Sequence, residues 1–199
     1  MAKPPKRRIR SVCVYCGSSG RGPARHRRDA VAFGRALAAA RIELVYGGGH
    51  VGLMGLMADA ALSAGGRVIG VIPADLIKKE VGYGKVTRLV VTKSMHSRKM
   101  AMFKRSDAFV VLPGGPGTLD EFFEVLTWRQ LRFHDKPIVL VESHGYWTPL
   151  IDLIEWIIFH GYARASFRNL FKIVRTVDDV LPALRAAPRP RVKSQPKRL

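Results

Sequence analysis

Cysteine is scarce in this sequence, with only Cys13 and Cys16 among 199 residues. Their C-x-x-C spacing is that of a redox-active dithiol, but they lie in the segment IRSVCVYCGSS, which is typical of a β-strand that runs into a loop. Residues three apart on a strand face opposite sides and lie about 10 Å apart, too far for a disulfide bond. We therefore expect two reduced, largely buried thiols.

Long apolar runs are also lacking. The longest, residues 150–159, is interrupted by Asp152 and Glu155 and is far shorter than the roughly 20 residues of a membrane-spanning helix. The arginine-rich start is similar to a transit peptide, but a strand pattern begins near Ile9 and leaves too little room for one. The sequence thus predicts a cytoplasmic location and no membrane contact.

Acidic residues are few: 15 stand against 34 lysines and arginines, which gives a formal net charge of +19. Much of the excess lies in two proline-containing ends without any acidic residue. We predict that residues 1–9 and 187–199 are disordered basic tails of a single domain over residues 10–186. Solvated tails account for this charge best, and a weak contact with nucleic acid or an anionic surface is the alternative.

Short β-rich segments alternate with helical patterns along the chain. Strands are predicted near residues 9–16, 42–46, 67–72, 86–91, 107–112, 137–141 and 171–175. Helices are predicted near residues 24–40, 52–64, 95–105, 118–132, 147–159 and 177–186. Several strands are almost continuously apolar, as in parallel sheets that are covered on both faces. The fold class is therefore α/β: a Rossmann-like doubly wound, mostly parallel sheet of about seven strands, with ligands at the carboxyl ends of the strands.

A loop of small residues, CGSSG, follows the first predicted strand. Gly17 allows close approach of a ligand to the backbone, and the Ser18 hydroxyl can bond phosphate or sugar. A plain turn is an equally good interpretation of this loop by itself.

A second glycine-rich segment follows the next strand. Gly47, Gly49 and Gly52 fit the dinucleotide-binding pattern G-x-G-x-x-G. However, the pattern follows the second strand rather than the first, and no acidic residue ends the next strand to hold a ribose hydroxyl. We therefore do not expect a site for NAD or FAD here. Instead, we predict that Gly48 and Gly49 form a wall that packs against a mononucleotide.

The segment SMHSRK is predicted to begin a helix, with Ser94 as the N-cap. Arg98 and Lys99 then lie near the positive end of the helix dipole, which is unfavourable for cations. This placement indicates a bound anion, and two solvated charges are the alternative. His96 has no second ligand at metal-binding spacing, so we predict no metal site.

The most specific segment is PGGPGTLDE, which joins an apolar strand to a helix. Amides of Gly114, Gly115, Gly117 and Thr118 at a helix N-terminus form a natural phosphate cradle. No Gly-Lys-Ser/Thr follows, so the segment is not a Walker loop. Thr118 and Glu121 also fit a capping box, which leaves a purely structural role for Glu121 open.

Taken in order, YGGGHVGLMG, SMHSRK and PGGPGTLDEFFEVLTW resemble the Lonely Guy family of cytokinin riboside 5′-monophosphate phosphoribohydrolases. The likeness runs from about Val12 to Leu184. It implies hydrolysis of the N-glycosidic bond of a purine nucleoside 5′-monophosphate, AMP or N6-prenylated AMP, without a cofactor. It also implies that Arg98 and Glu121 form the catalytic pair. The implied nucleotide site comprises Gly48, Gly49, the PGGPGT loop and, nearby, Met95 and Lys99.

The resemblance further implies a homodimer, since family members are dimers or larger. Members have often been labelled lysine decarboxylases, but that chemistry needs pyridoxal phosphate on a lysine, and no convincing site for it is present. Two positions depart from the pattern: Asp120 replaces a more common glutamate, and Arg132 a frequent glycine that could border the base pocket. A non-catalytic carrier of a nucleotide or of molybdenum cofactor on the same fold is the alternative function.

Overall fold

Seven short strands form one parallel sheet in the computed structural model, which describes residues 8–77 and 85–188. The strands are β1 (Ser11–Tyr15), β2 (Glu43–Tyr46), β3 (Val68–Pro73), β4 (Arg88–Thr92), β5 (Ala108–Val111), β6 (Ile138–Val141) and β7 (Lys172–Val174). Their order across the sheet is β4-β3-β2-β1-β5-β6-β7, and every neighbouring pair is parallel. The predicted strands are thus all confirmed.

Helices cover both faces of this sheet. They are α1 (Ala24–Ala39), α2 (Gly52–Ser63), α3 (Met95–Arg105), α4 (Pro116–Gln130), α5 (Thr148–Phe159) and α6 (Val180–Ala186). One apolar core lies between the sheet and α1, α2 and α6, and a second lies between the sheet and α3, α4 and α5. The doubly wound α/β fold is therefore confirmed. The predicted sixth helix begins as a 3-10 turn over Val177–Asp179, and α4 begins two residues earlier than predicted.

The two cysteines lie on opposite sides of the sheet. Cys13 packs in the core beneath α3, α4 and α5, and Cys16 packs in the other core. Both are free and buried, as predicted. Burial raises the pKa of each thiol far above its ordinary value, so both stay protonated.

Within the part of the chain that the structure describes, no helix is both long and apolar enough to cross a membrane. The predicted basic tails lie almost entirely outside the described residues, which begin at residue 8 and end at residue 188. Their disorder and the domain boundaries at residues 10 and 186 stay predictions.

The direction of winding reverses between β1 and β5. From β1 the chain adds β2, β3 and β4 on one side, and it then crosses to β5, β6 and β7 on the other side. Such a switch point opens a crevice at the carboxyl ends of the two central strands. Here the loops after β1 and β5 are joined, because the Gly17 amide donates to the Pro113 carbonyl at 3.0 Å.

Candidate active site

A cleft of about 390 Å³ lies at this switch point, a volume in the range of small-molecule sites. Arg98 of α3 and Glu121 of α4 both line it. The other lining residues are Cys16, Gly17, Ser18, Ser19, Met54, Leu76, Met95, Gly115, Pro116, Gly117, Thr118 and Asp120. Three clefts elsewhere are larger, about 460 to 630 Å³, but their described walls contain no carboxylate. Of the four, only the switch-point cleft therefore combines an acid with an arginine.

Arg98 is buried, with 5% of its surface exposed. Its Nε donates to the Val71 carbonyl at 3.1 Å and its Nη2 donates to the Gly47 carbonyl at 2.9 Å. The predicted N-cap is confirmed, because Ser94 and Ser97 form a reciprocal capping box that starts α3. The alternative of a solvated arginine is wrong, since one backbone carbonyl just after β2 and one within β3 fix this guanidinium in the cleft wall.

Two glycines after β2 pack too closely for side chains, and at Gly47 the close neighbour is the Arg98 guanidinium. A Cβ on Gly47 would lie 2.1 Å from Nη2 of Arg98, and one on Gly48, where φ is +77°, would lie 3.1 Å from the Ile72 Cβ. Gly47, Gly48 and Gly49 are buried and do not appear in the described cleft wall. Close packing therefore explains Gly47 and Gly48, and contact of Gly48 and Gly49 with a nucleotide stays a prediction.

Glu121 does not cap its helix. Gly115 is the N-cap of α4 and Pro116 the first helical residue, a position that proline favours. Thr118 already lies inside the helix, so the capping box of Thr118 and Glu121 is wrong. The half-buried Glu121 lines the cleft from the second turn of α4. It lies near the end of β1, where burial and then the charge of Glu121 raise the pKa of the Cys16 thiol.

The glycines of the PGGPGT loop differ in the space around the position of an added Cβ atom. A Cβ on Gly114 would lie 2.1 Å from Oγ1 of Thr118, so packing alone requires glycine there. A Cβ on Gly115 or Gly117 would meet nothing within 4 Å. Glycine is a favoured residue at the N-cap, the position of Gly115, but inside the helix, at position 117, it costs roughly 1 kcal/mol relative to alanine. Internal packing therefore requires neither glycine, and a ligand that approaches the backbone explains Gly117.

Amides in the first turn of a helix have no intrahelical acceptor, which makes this end of α4 suited to an anion. Of the four amides predicted to form the phosphate cradle, that of Thr118 is already used, because it donates to the Gly115 carbonyl at 3.0 Å. The amides of Gly115 and Gly117 are the better candidates for phosphate.

Gly117→Ala is expected to keep or raise the free energy of unfolding, by up to about 1 kcal/mol, because alanine is the better helix former. The added methyl group would project into the open space at the helix start, so the affinity for ribose 5-phosphate should fall by at least about tenfold. Denaturant unfolding and calorimetric titration measure the two effects. Gly22→Ala, where a Cβ also meets nothing within 4 Å, is the matched control. An unchanged affinity in Gly117→Ala would remove this residue from the cradle.

Lys99 does not line the described cleft. Its Nζ lies 3.1 Å from Oδ2 of Asp120 and 3.0 Å from Oε1 of Glu124, and these contacts join α3 to α4. Burial opposes the charge of Lys99, but the hydrogen bonds to Glu124 and Asp120 outweigh it and raise the pKa of the ammonium. The aspartate at position 120 is thus long enough to pair with Lys99. Contact of Lys99 with a nucleotide stays a prediction.

A pyridoxal phosphate site does not fit this cleft. No lysine is among its described lining residues, and Lys99 beside it is held protonated, whereas a Schiff base needs a neutral amine. Within residues 8–77 and 85–188, no group of three histidine, cysteine, aspartate or glutamate side chains is arranged to hold a metal ion.

Several cleft residues were not predicted from the sequence. Met54 and Leu76 add apolar wall, and Asp120 adds a second carboxylate. Cys16, Ser19 and Pro116 also line the cleft, but they belong to the CGSSG and PGGPGT loops that the sequence singled out. Met54 lies in the GLMG motif that the sequence already singled out, but Leu76 lies in an isolated turn after β3 without any motif.

Arg132 does not border this cleft. It follows the carboxyl end of α4, roughly 20 Å along the helix from the phosphate cradle by the helical rise, and it lines a different cleft. Its backbone is left-handed, with φ of 61°, a conformation that favours glycine. The conformation accounts for the glycine expected there, and within this chain Arg132 lies away from the switch-point cleft.

Comparison with known proteins identifies the family of the chain. The family model described as "Possible lysine decarboxylase" matches residues 54–184. A probable cytokinin riboside 5′-monophosphate phosphoribohydrolase, LOGL2 of Oryza sativa subsp. japonica, is 42% identical over 89% of this chain and 72% of its own length. The cytokinin riboside 5′-monophosphate phosphoribohydrolase of Rhodococcoides fascians is 42% identical over 89% of this chain and 90% of its own length.

Among solved structures, the molybdenum cofactor binding protein of Rippkaea orientalis superposes with a TM-score of 0.65 over 88% of this chain and 94% of its own. At 22% identity this likeness shows a shared fold and nothing about a shared ligand. The sequence relatives are much closer. The chain belongs to the Lonely Guy family of cytokinin riboside 5′-monophosphate phosphoribohydrolases.

Proposed function

We propose that this protein hydrolyses the N-glycosidic bond of purine nucleoside 5′-monophosphates and releases the free base and ribose 5-phosphate. The observation that carries the proposal is the shared cleft: Arg98, Glu121 and the start of α4 line it together. The names of the relatives that are 42% identical support the same activity.

The start of α4 would bind the 5′-phosphate. The Gly115 and Gly117 amides and the positive end of the helix dipole suit an anion, and Ser18 lines the same cleft. Binding energy from the phosphate would be remote from the breaking bond and would hold the ribose in place. Nucleosides without the phosphate would therefore be poor substrates.

Glu121 would act at the anomeric carbon. As the C1′–N9 bond breaks, its electron pair leaves with the base and positive charge develops on the ribose. A carboxylate beside C1′ stabilises that charge and orients the attacking water. The water supplies a hydroxyl group to C1′ and a proton to the base, so the products are the base and ribose 5-phosphate.

Arg98 would orient Glu121 and contact the sugar or phosphate. A planar guanidinium donates in two directions at once, and two of its nitrogens are already fixed by carbonyls of Val71 and Gly47. Because this anchoring is complete before substrate binds, the positive charge needs little rearrangement in the transition state.

The base would lie against the apolar wall formed by Met54, Leu76 and Met95. This surface suits a purine, and both AMP and N6-prenylated AMP are candidates. The test is to incubate the purified protein with AMP, N6-isopentenyladenosine monophosphate and adenosine, and to follow base and ribose 5-phosphate by chromatography. Release from the monophosphates but not from adenosine is expected. Tight nucleotide binding without any release would instead favour the non-catalytic carrier.

The proposal includes a homodimer in the cytoplasm. The outer face of α5 exposes large apolar side chains, with Leu153 49%, Trp156 62% and Phe159 80% exposed. Burial of such a face against a second copy would be favourable. Sedimentation should show a dimer that Phe159→Asp shifts toward monomer, while Val91→Asp, at a residue 53% exposed on β4, leaves it intact. A wild-type monomer would contradict this part of the proposal.

A further inference from the structure

Tyr146 connects the loop after β6 to the phosphate cradle. Its hydroxyl donates to the Gly114 carbonyl at 2.6 Å. The ring is held edge-on by His26 of α1 and by Trp147, with centroids 5.2 and 4.8 Å away. Tyr146 therefore reaches the PGGPGT loop from a separate segment, without being one of the residues that line the cleft.

The hydrogen bond to the Gly114 carbonyl also sets the direction of the Gly115 amide. In a planar trans peptide, the carbonyl of one residue and the amide of the next point in opposite directions. A Gly114 carbonyl that is held toward Tyr146 therefore turns the Gly115 amide away from Tyr146, and Gly115 lines the cleft whereas Gly114 does not.

The neighbouring peptide is fixed from the other side. The Pro113 carbonyl accepts from the Gly17 amide at 3.0 Å, and a side chain on Gly114 would lie 2.9 Å from that same Gly17 nitrogen. The loop is thus held through consecutive carbonyls, that of Pro113 by the Gly17 amide and that of Gly114 by Tyr146. Without the tyrosine hydroxyl, the Gly114–Gly115 peptide loses the group that sets its rotation.

We propose that Tyr146 is a positioning residue for the substrate phosphate: its hydroxyl orients the Gly114–Gly115 peptide so that the Gly115 amide donates to a phosphate oxygen. The inference rests on the proposed function, since it assigns the phosphate of that substrate to this amide. Tyr146 contacts neither substrate nor reacting atoms, and its effect is confined to phosphate recognition.

Tyr146→Phe keeps the ring and removes the hydroxyl. The affinity for ribose 5-phosphate and the KM for AMP should each worsen by about tenfold, the order expected for one hydrogen bond. The kcat at saturation and the affinity for adenosine should stay close to wild type. In addition, the Gly115 amide resonance should move downfield when ribose 5-phosphate binds the wild type, and by much less in Tyr146→Phe.

Tyr162→Phe, at a residue 89% exposed, is the control for loss of a tyrosine hydroxyl. If Tyr146→Phe binds ribose 5-phosphate like wild type, the inference is overturned. An equal loss of affinity for ribose 5-phosphate and adenosine, together with a lower Tm, would also overturn it, because that pattern indicates structural support only. The proposed function fails separately, when wild-type protein releases no base from AMP although its Gly115 amide still responds to ribose 5-phosphate.

Discussion

Glu121→Gln is expected to lower kcat on AMP by at least about 1,000-fold, with little change in KM or in the free energy of unfolding. Glutamine has nearly the shape of glutamate but lacks the charge that would stabilise the cationic ribose. The substitution should not destabilise α4 through loss of a cap, because α4 begins at Pro116 and Glu121 lies in its second turn. Single-turnover assays of adenine release, together with ribose 5-phosphate titrations, separate the chemical step from binding.

Glu43→Gln is the matched control for Glu121→Gln. Glu43 begins β2 at the opposite edge of the sheet and pairs with Arg67 at 3.2 Å, so its neutralisation should not affect catalysis. Turnover of Glu121→Gln within a few-fold of wild type would remove Glu121 from the mechanism. Loss of activity in both variants would point to a general effect of charge instead.

Gly47→Ala is expected to lower kcat/KM by at least about 100-fold, although Gly47 does not line the described cleft. The new Cβ would lie 2.1 Å from Nη2 of Arg98, a distance that no packing tolerates, so the guanidinium must leave its place. Its hydrogen bond to the Gly47 carbonyl would be disturbed as well. The variant thereby tests the position of Arg98 without removing its charge.

A double-mutant cycle decides whether this loss acts through Arg98. If it does, Arg98→Ala alone should cost at least as much, and Gly47→Ala added to Arg98→Ala should cost little more. Gly22→Ala, with open space around its added Cβ, should retain full activity. Additive losses in the double mutant would show that Gly47→Ala does not act through Arg98. A normal rate in Gly47→Ala would show that this position of the guanidinium is not needed.

The fold was predictable because its signals are local. Each strand is a short apolar run and each helix a periodic one, so the strands and helices of the described residues follow from patterns within about 15 residues. The start of α4 was misplaced because Thr118 and Glu121 have the spacing of a capping box. The proline at position 116, which favours the first turn of a helix, was the better signal.

The site was predictable only in part because its contacts are not local. The sequence shows that Arg98 lies near the positive end of a helix dipole, which is unfavourable for a cation. It does not show which groups hold the guanidinium there. Its partners, the carbonyls of Gly47 and Val71, are 51 and 27 residues away in the chain. Backbone carbonyls carry no side-chain signature, so neither the burial of Arg98 nor the bond from Tyr146 to Gly114 could be predicted.

The most direct test is a crystal structure of Glu121→Gln with AMP bound. The phosphate should accept hydrogen bonds from the Gly115 and Gly117 amides, and C1′ of the ribose should face Gln at position 121 and the Arg98 guanidinium. A nucleotide bound in another cleft, or one in the switch-point cleft with its phosphate away from α4 and its C1′ away from both side chains, would contradict the account.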